Sequence, residues 1–149
     1  MGRIVAIDYG TRRTGVAITD PDRLIASPLE TVPTHGLMNY LASYFDREQV
    51  EMLVVGQPRK LDNSDSGSAR PLRFFVEAFM KRFPGIPVDW MDERFTSKMA
   101  MDALVQGGMK KSGRKVKGNV DKVSAALILQ SWMERQNNLK RLGLRRDRR

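Results

Sequence analysis

The chain has 149 residues, with 26 lysines and arginines against 17 aspartates and glutamates, for a formal net charge of +9. That length suits one domain around one core, and an apolar share of 41% with 29% charged residues reads as globular rather than disordered. With no cysteine and a single histidine, His35, the chain excludes disulfide frameworks, thiolate-held zinc or iron–sulfur centres and multi-histidine metal sites, and a Ser-His-Asp triad fits it poorly. No apolar stretch approaches the length of a membrane span, and the opening residues Met1–Asp8 turn charged too early for a secretory signal, so a cytoplasmic protein is expected.

In chain order, residues 3–8 form an apolar run ending at an acid. Gly10 and Gly15 bracket a polar turn, and residues 15–19 are again apolar and β-branched, so the opening reads as a hairpin. Residues 24–32 form a third strand, which Pro28 assigns to a sheet edge. Leu37, Leu41 and Tyr44 or Phe45 recur at helical spacing, predicting a helix over 36–47. Residues 52–56 are a buried strand stopping at Gly56-Gln57-Pro58, and residues 57–69 are a polar loop. A helix follows with Pro71 in its first turn and an apolar stripe of Leu72, Phe75, Val76, Phe79 and Phe83. Phe74, Phe75, Phe79 and Phe83, and the nine methionines, read as core rather than as a base-stacking surface. Residues 86–91 are a fifth strand ending at Asp92-Glu93. Thr96 or Ser97 caps a predicted helix to Gln106, closed by Gly107-Gly108. A basic loop leads to a last helix over 120–137, opened by Asp121. The order β-β-β-α-β-α-β-α-α predicts a mixed α/β sheet with helices packed on its faces.

The charge is concentrated late in the chain. Residues 109–118 hold Lys110, Lys111, Arg114, Lys115 and Lys117 and no acid. Residues 140–149 hold six cations and one acid. Such blocks stay solvated and attract a polyanion. The expected division is a domain over 1–138 and a basic, flexible tail over 139–149.

Three acids stand at strand and helix ends: Asp8, Glu93 and Asp121. Singly, each has an ordinary role: a turn residue, half of a surface ion pair with Arg94, and an acid at a helix N-terminus. If strands one and five run parallel, Asp8 and Glu93 share the carboxyl edge of the sheet, where open α/β sheets place their sites. Clustered carboxylates repel, so a proton or a cation must neutralise them. All-oxygen ligands suit Mg²⁺ or Mn²⁺, the ions of phosphodiester hydrolysis.

Residues Ala6-Ile7-Asp8-Tyr9-Gly10-Thr11-Arg12-Arg13-Thr14-Gly15-Val16-Ala17 resemble the opening motif of the YqgF family of pre-16S rRNA nucleases and Holliday junction resolvase-like proteins. Val54-Val55-Gly56-Gln57-Pro58, Asp92-Glu93-Arg94-Phe95-Thr96-Ser97, and Asp121 through Ala125–Gln130 resemble its next three motifs, in order. The resemblance implies an RNase H-like fold: a five-stranded mixed sheet, a three-strand antiparallel meander plus two parallel strands, with helices on both faces. It implies a divalent-metal nuclease with Asp8, Glu93 and Asp121 as catalytic metal ligands. The substrate would be pre-rRNA, processed at the 5′ end of pre-16S rRNA, or branched DNA; ribosomal particles are candidate partners, and the protein would act as a monomer or homodimer. A further acid that related resolvases carry in the last helix has no counterpart here, where Lys122, Val123 and Ser124 follow Asp121.

Around the acids, Gly10, Gly15 and Gly56 shape the backbone. Arg13 and Arg94 are candidate phosphate ligands, with an ion pair the alternative for Arg13 and bracing of Glu93 the alternative for Arg94. Lys110, Lys111, Arg114, Lys115 and Lys117 would clamp a nucleic-acid backbone without reading its sequence. Two other readings stand beside the nuclease: a nucleic-acid-binding ribosome-assembly factor with little catalysis, and an ATPase of the actin and Hsp70 type, against which the short chain argues.

Overall fold

The computed structural model describes residues 2–57, 69–92 and 113–143, with the backbone alone for 113–120. Its first strand sets the layering. In β1 (Arg3–Asp8), Val5 and Ile7 face one side and Ile4 and Ala6 the other, and all four are buried. A strand buried on both faces is central, and its unbroken apolar run says so in the sequence.

β2 (Arg13–Thr19) pairs antiparallel with β1, and β3 (Ala26–Pro33) pairs antiparallel with β2. A 3₁₀ turn at Thr34–Gly36 leads into α1 (Leu37–Arg47). Next, β4 (Val50–Gln57) lies parallel to β1 on its other side. After α2 (Ala69–Arg82), β5 (Val88–Asp92) joins parallel to β4. The sheet order is therefore β3-β2-β1-β4-β5, with β3 and its Pro28 at an edge. This is the expected meander plus parallel strands, and strands one and five do run parallel. The last element is α3 (Gly113–Arg141).

Two cores sandwich the sheet. On one face Leu37, Leu41 and Tyr44 of α1 and Leu72, Val76 and Phe79 of α2 meet Val5, Ile7, Val16, Leu53 and Val55. On the other, Ala125, Ala126, Ile128, Leu129 and Trp132 of α3 lie over Ile4, Ala6, Ala17 and Val54. Small residues on both partners, Ala6 and Ala17 below and Ala125 and Ala126 above, let α3 approach the sheet closely. Among the described residues no helix is long and apolar enough to cross a membrane.

Three expectations change. Residues 113–118, read as loop, are helical, and Asp121 lies in the third turn of α3 rather than opening it. Arginine and lysine are strong helix formers, and a lone interior glycine such as Gly118 costs only about 1 kcal/mol. The helix also runs to Arg141, past residue 139, where the tail was expected to begin. Finally, Phe74 is 64% exposed and Met80 52% exposed, so neither is core, whereas Phe75, Phe79 and Phe83 stack as expected. Phe74 precedes Phe75 of the apolar stripe by one residue, a rotation of about 100° that turns it outward. The predicted helix over 96–106 and most of the loop over 57–69 lie outside the described residues.

Candidate active site at the carboxyl edge

Strand parity places the first acid. Asp8 follows Ile4 and Ala6 at two-residue intervals, so it points to the α3 face of the sheet. Its partner across the ladder is Gly15 of β2. A Cβ built on Gly15 would stand 1.9 Å from the Asp121 carbonyl oxygen and 2.3 Å from its carbonyl carbon. Only glycine leaves room for the α3 backbone to rest on β2 there. Paired strand residues lie about 5 Å apart, so this contact sets the Asp121 backbone against the strand pair that carries Asp8, although 113 positions separate the two acids.

Arg13 lies two residues before Gly15 and therefore on the same face. Its Nε donates to Asp121 Oδ2 at 2.6 Å, the pair of side chains being 36% and 24% exposed. The structure thus shows Arg13 in an ion pair, and the pair links β2 to α3. Half-exposed pairs of this kind contribute at most about 1 kcal/mol to stability.

The turn between Asp8 and Arg13 is fixed from outside. A Cβ on Gly10 would meet the Arg13 carbonyl oxygen at 2.5 Å, so the chain doubles back tightly there. Thr34 Oγ1 donates to the Gly10 carbonyl oxygen at 2.6 Å and lies 2.9 Å from Thr14 Oγ1, while the Thr34 amide donates to the Arg12 carbonyl oxygen. Thr34 is a site-shaping residue that sequence reasoning passed over; its signal was a hydroxyl directly before a helix start. Beside the turn, the Tyr9 ring packs 5.8 Å from that of Phe75, and burial pushes its phenol above the usual value.

Across the sheet, β1, β4 and β5 end together. Ile7 pairs with Val55, Gly56 with Met91, and Gln57 with Asp92. Asp8, Gly56 and Asp92 therefore share one edge. Glu93, Arg94, Lys110 and Lys111 lie outside the described residues. Arg114, Lys115 and Lys117 belong to the first turns of α3, which contain no acid. His35 is exposed in the 3₁₀ turn.

A second carboxylate that the sequence did not flag is Asp89 in β5, only 8% exposed. It accepts from the Trp132 indole Nε1 at 2.8 Å and from Arg135 at 3.4 Å, tying α3 to β5. Its signal was a charge within the apolar strand Val88–Met91. Ser124, one turn beyond Asp121, is fully buried, and its hydroxyl finds no hydrogen-bond partner among the described residues. Among the described residues no group of three or more histidines, cysteines, aspartates and glutamates forms a metal cage.

Comparison with known proteins identifies relatives of the whole chain. The RuvX family model, described as a Holliday junction resolvase, matches residues 2–135. A relative from Christiangramia forsetii, named as a candidate pre-16S rRNA nuclease, is 48% identical over 133 residues, covering 89% of this chain and 98% of its own. One of the same name from Phocaeicola vulgatus is 48% identical over 134 residues, covering 90% and 96%. Among solved structures, T. thermophilus RuvC in complex with a Holliday junction substrate superposes with a TM-score of 0.50 at 16% identity, over 96% of this chain and 97% of that one. That likeness concerns the fold, which is RNase H-like.

Proposed function

The chain belongs to the RuvX family, and from that premise we propose a divalent-ion-dependent nuclease that hydrolyses phosphodiester bonds in structured nucleic acid, its substrate being the 5′ end of pre-16S rRNA. The names of the relatives favour RNA. The description of the family favours branched DNA as the second reading.

The observation that carries the proposal is the Asp121 backbone resting on Gly15, the residue that pairs with Asp8 across the ladder at the carboxyl edge. Carboxylates that share a site need a cation, and Arg13 already supplies one to Asp121. The donors are hard oxygens, which fit Mg²⁺ or Mn²⁺. Glu93 is proposed as the third ligand. It follows Asp92, the last residue of β5, and consecutive Cα atoms are about 3.8 Å apart. Two strand spacings separate β1 from β5, about 10 Å between backbones.

Asp8, Glu93 and Asp121 would hold the ion, which when bound supplies Lewis acidity to the phosphate and acidifies water. The chain supplies the rest. The Gly10 turn and the Gly15 contact preorganise two of the acids. Lys110, Lys111, Arg114, Lys115, Lys117 and Arg94 would hold the phosphate backbone. Three cations in the first turns of α3, with no acid among them, oppose the helix dipole, an arrangement that a polyanion relieves. Ribosomal particles are the proposed setting, the cytoplasm the proposed compartment, and a monomer suffices for trimming RNA, while a two-fold homodimer would suit a branched junction.

The test supplies Mn²⁺ and two labelled substrates, an RNA carrying the 5′ precursor extension and a four-way DNA junction. Asp8→Asn is expected to lower cleavage of the RNA by about 100-fold or more, and chelation to abolish it. Equal cleavage by wild type and Asp8→Asn removes the catalytic assignment. Cleavage of the junction alone selects the second reading.

A further inference from the structure

A short charged contact at the carboxyl edge joins two groups that the proposed reaction would need apart. Arg13 Nε donates to Asp121 Oδ2 at 2.6 Å. A divalent ion seeks that same carboxylate, and two cations on one carboxylate repel. The partners differ in freedom. The Asp121 backbone is fixed, because it rests on Gly15. The Arg13 backbone is held in the ladder opposite Pro33, but its side chain is 36% exposed and free to rotate outward. The bond to Asp121 uses one of the five N–H donors of a guanidinium group, whose fork fits a phosphate equally well.

We propose that Arg13 is a placeholder cation: without substrate it neutralises Asp121 and competes with the divalent ion, and an arriving phosphate draws it away and opens the carboxylate to that ion. The inference rests on Asp8 and Asp121 being metal ligands. Ion and substrate then favour each other's binding by the same factor, as linkage requires. Divalent-ion loading then responds to bound nucleic acid as well as to free metal.

The experiment measures binding, not turnover. Mn²⁺ is titrated calorimetrically into wild type, Arg13→Ala, Arg13→Gln, Arg12→Ala, Asp8→Asn and Asp121→Asn. RNA-hairpin binding is measured separately in chelator over a range of salt. Both Arg13 variants are expected to bind Mn²⁺ roughly threefold to tenfold tighter, the range that a half-exposed ion pair covers. They are also expected to bind RNA more weakly, the slope of log affinity against log salt becoming shallower by about one. Arg12→Ala removes the same charge from the exposed neighbour and is expected to change Mn²⁺ affinity less than twofold. Unchanged Mn²⁺ affinity in the Arg13 variants, or an equal gain in Arg12→Ala, overturns the proposal while uptake lost in Asp8→Asn keeps the metal site standing. No uptake by wild type, or full uptake by both aspartate variants, removes the metal site and this inference with it.

Discussion

A methyl group at position 15 would lie 1.9 Å from the Asp121 carbonyl oxygen, a backbone atom that cannot rotate aside. Gly15→Ala must therefore lift α3 from β2 or bend β2. The expected cost is about 1–3 kcal/mol, measured by urea unfolding. Cleavage is expected to fall further than stability, because the lift moves Asp121 away from the end of β1 that carries Asp8. Equal stability and activity in this variant would show that the close approach is dispensable. The same scale explains what the sequence could not announce. Asp8 and Gly15 stand out as residues, one an acid ending an apolar strand and one a glycine in a β-branched run. Their service to Asp121 depends on a contact between positions more than a hundred residues apart, which no local pattern encodes.

Among elements, α3 packs along its apolar face and is pinned at two further places, by Gly15 near Asp121 and by Asp89 at Trp132 and Arg135. Asp89→Ala leaves the Trp132 indole N–H without its acceptor in a site 8% exposed on both partners. An unpaired buried donor costs about 1–3 kcal/mol, and thermal or urea unfolding of Asp89→Ala against Asp89→Asn, which keeps an acceptor oxygen, measures it. The turn from β2 to β3 gives a pH prediction. Asp20 Oδ1 accepts from the amides of Leu24 and Ile25 at 2.8 Å or less, and these hydrogen bonds, that of Ile25 foremost, lower its pKa. A lowered folded pKa means that the turn is supported at every pH above the ordinary carboxylate value and loosens only as pH falls through the lower one. Amide exchange at Leu24 and Ile25 is therefore expected to accelerate only below about pH 4. Strands and helices were legible because alternation and 3.6-residue spacing are local. The start of α3 was not, because Gly118 and Asn119 are poor helix formers that its packing on β1, β2 and β3 overrides. Nor was the outward turn of Phe74, which a mere neighbour in an apolar stripe conceals.

For the whole molecule, the two ends of the sheet have different work. At the amino ends of the parallel strands, Arg3 pairs with Glu48 at 3.0 Å, Arg23 with Glu51, and the Gly2 amide donates to Glu51 at 2.8 Å. These contacts close the end away from the acids and tie β1, the β2–β3 turn and β4 together. The opposite end carries Asp8 and Asp92, and α3 brings in Asp121 behind a block of cations. If the five cations of residues 109–118 each meet a phosphate, log affinity for nucleic acid falls against log salt with a slope of about −4 to −5. A filter-binding series checks the slope, and a value near zero would dissociate that block from the substrate.

The order of the elements has a consequence for the protein's own synthesis. The helix that completes the constellation is the last of the described elements to be made, and Asp8 waits through 113 further residues before Asp121 exists. Translation at roughly 5–20 residues per second makes that wait several seconds or more. A partly made chain emerging beside ribosomal RNA thus holds Asp8 before Asp121, and the carboxyl edge gains its second acid only once α3 is made.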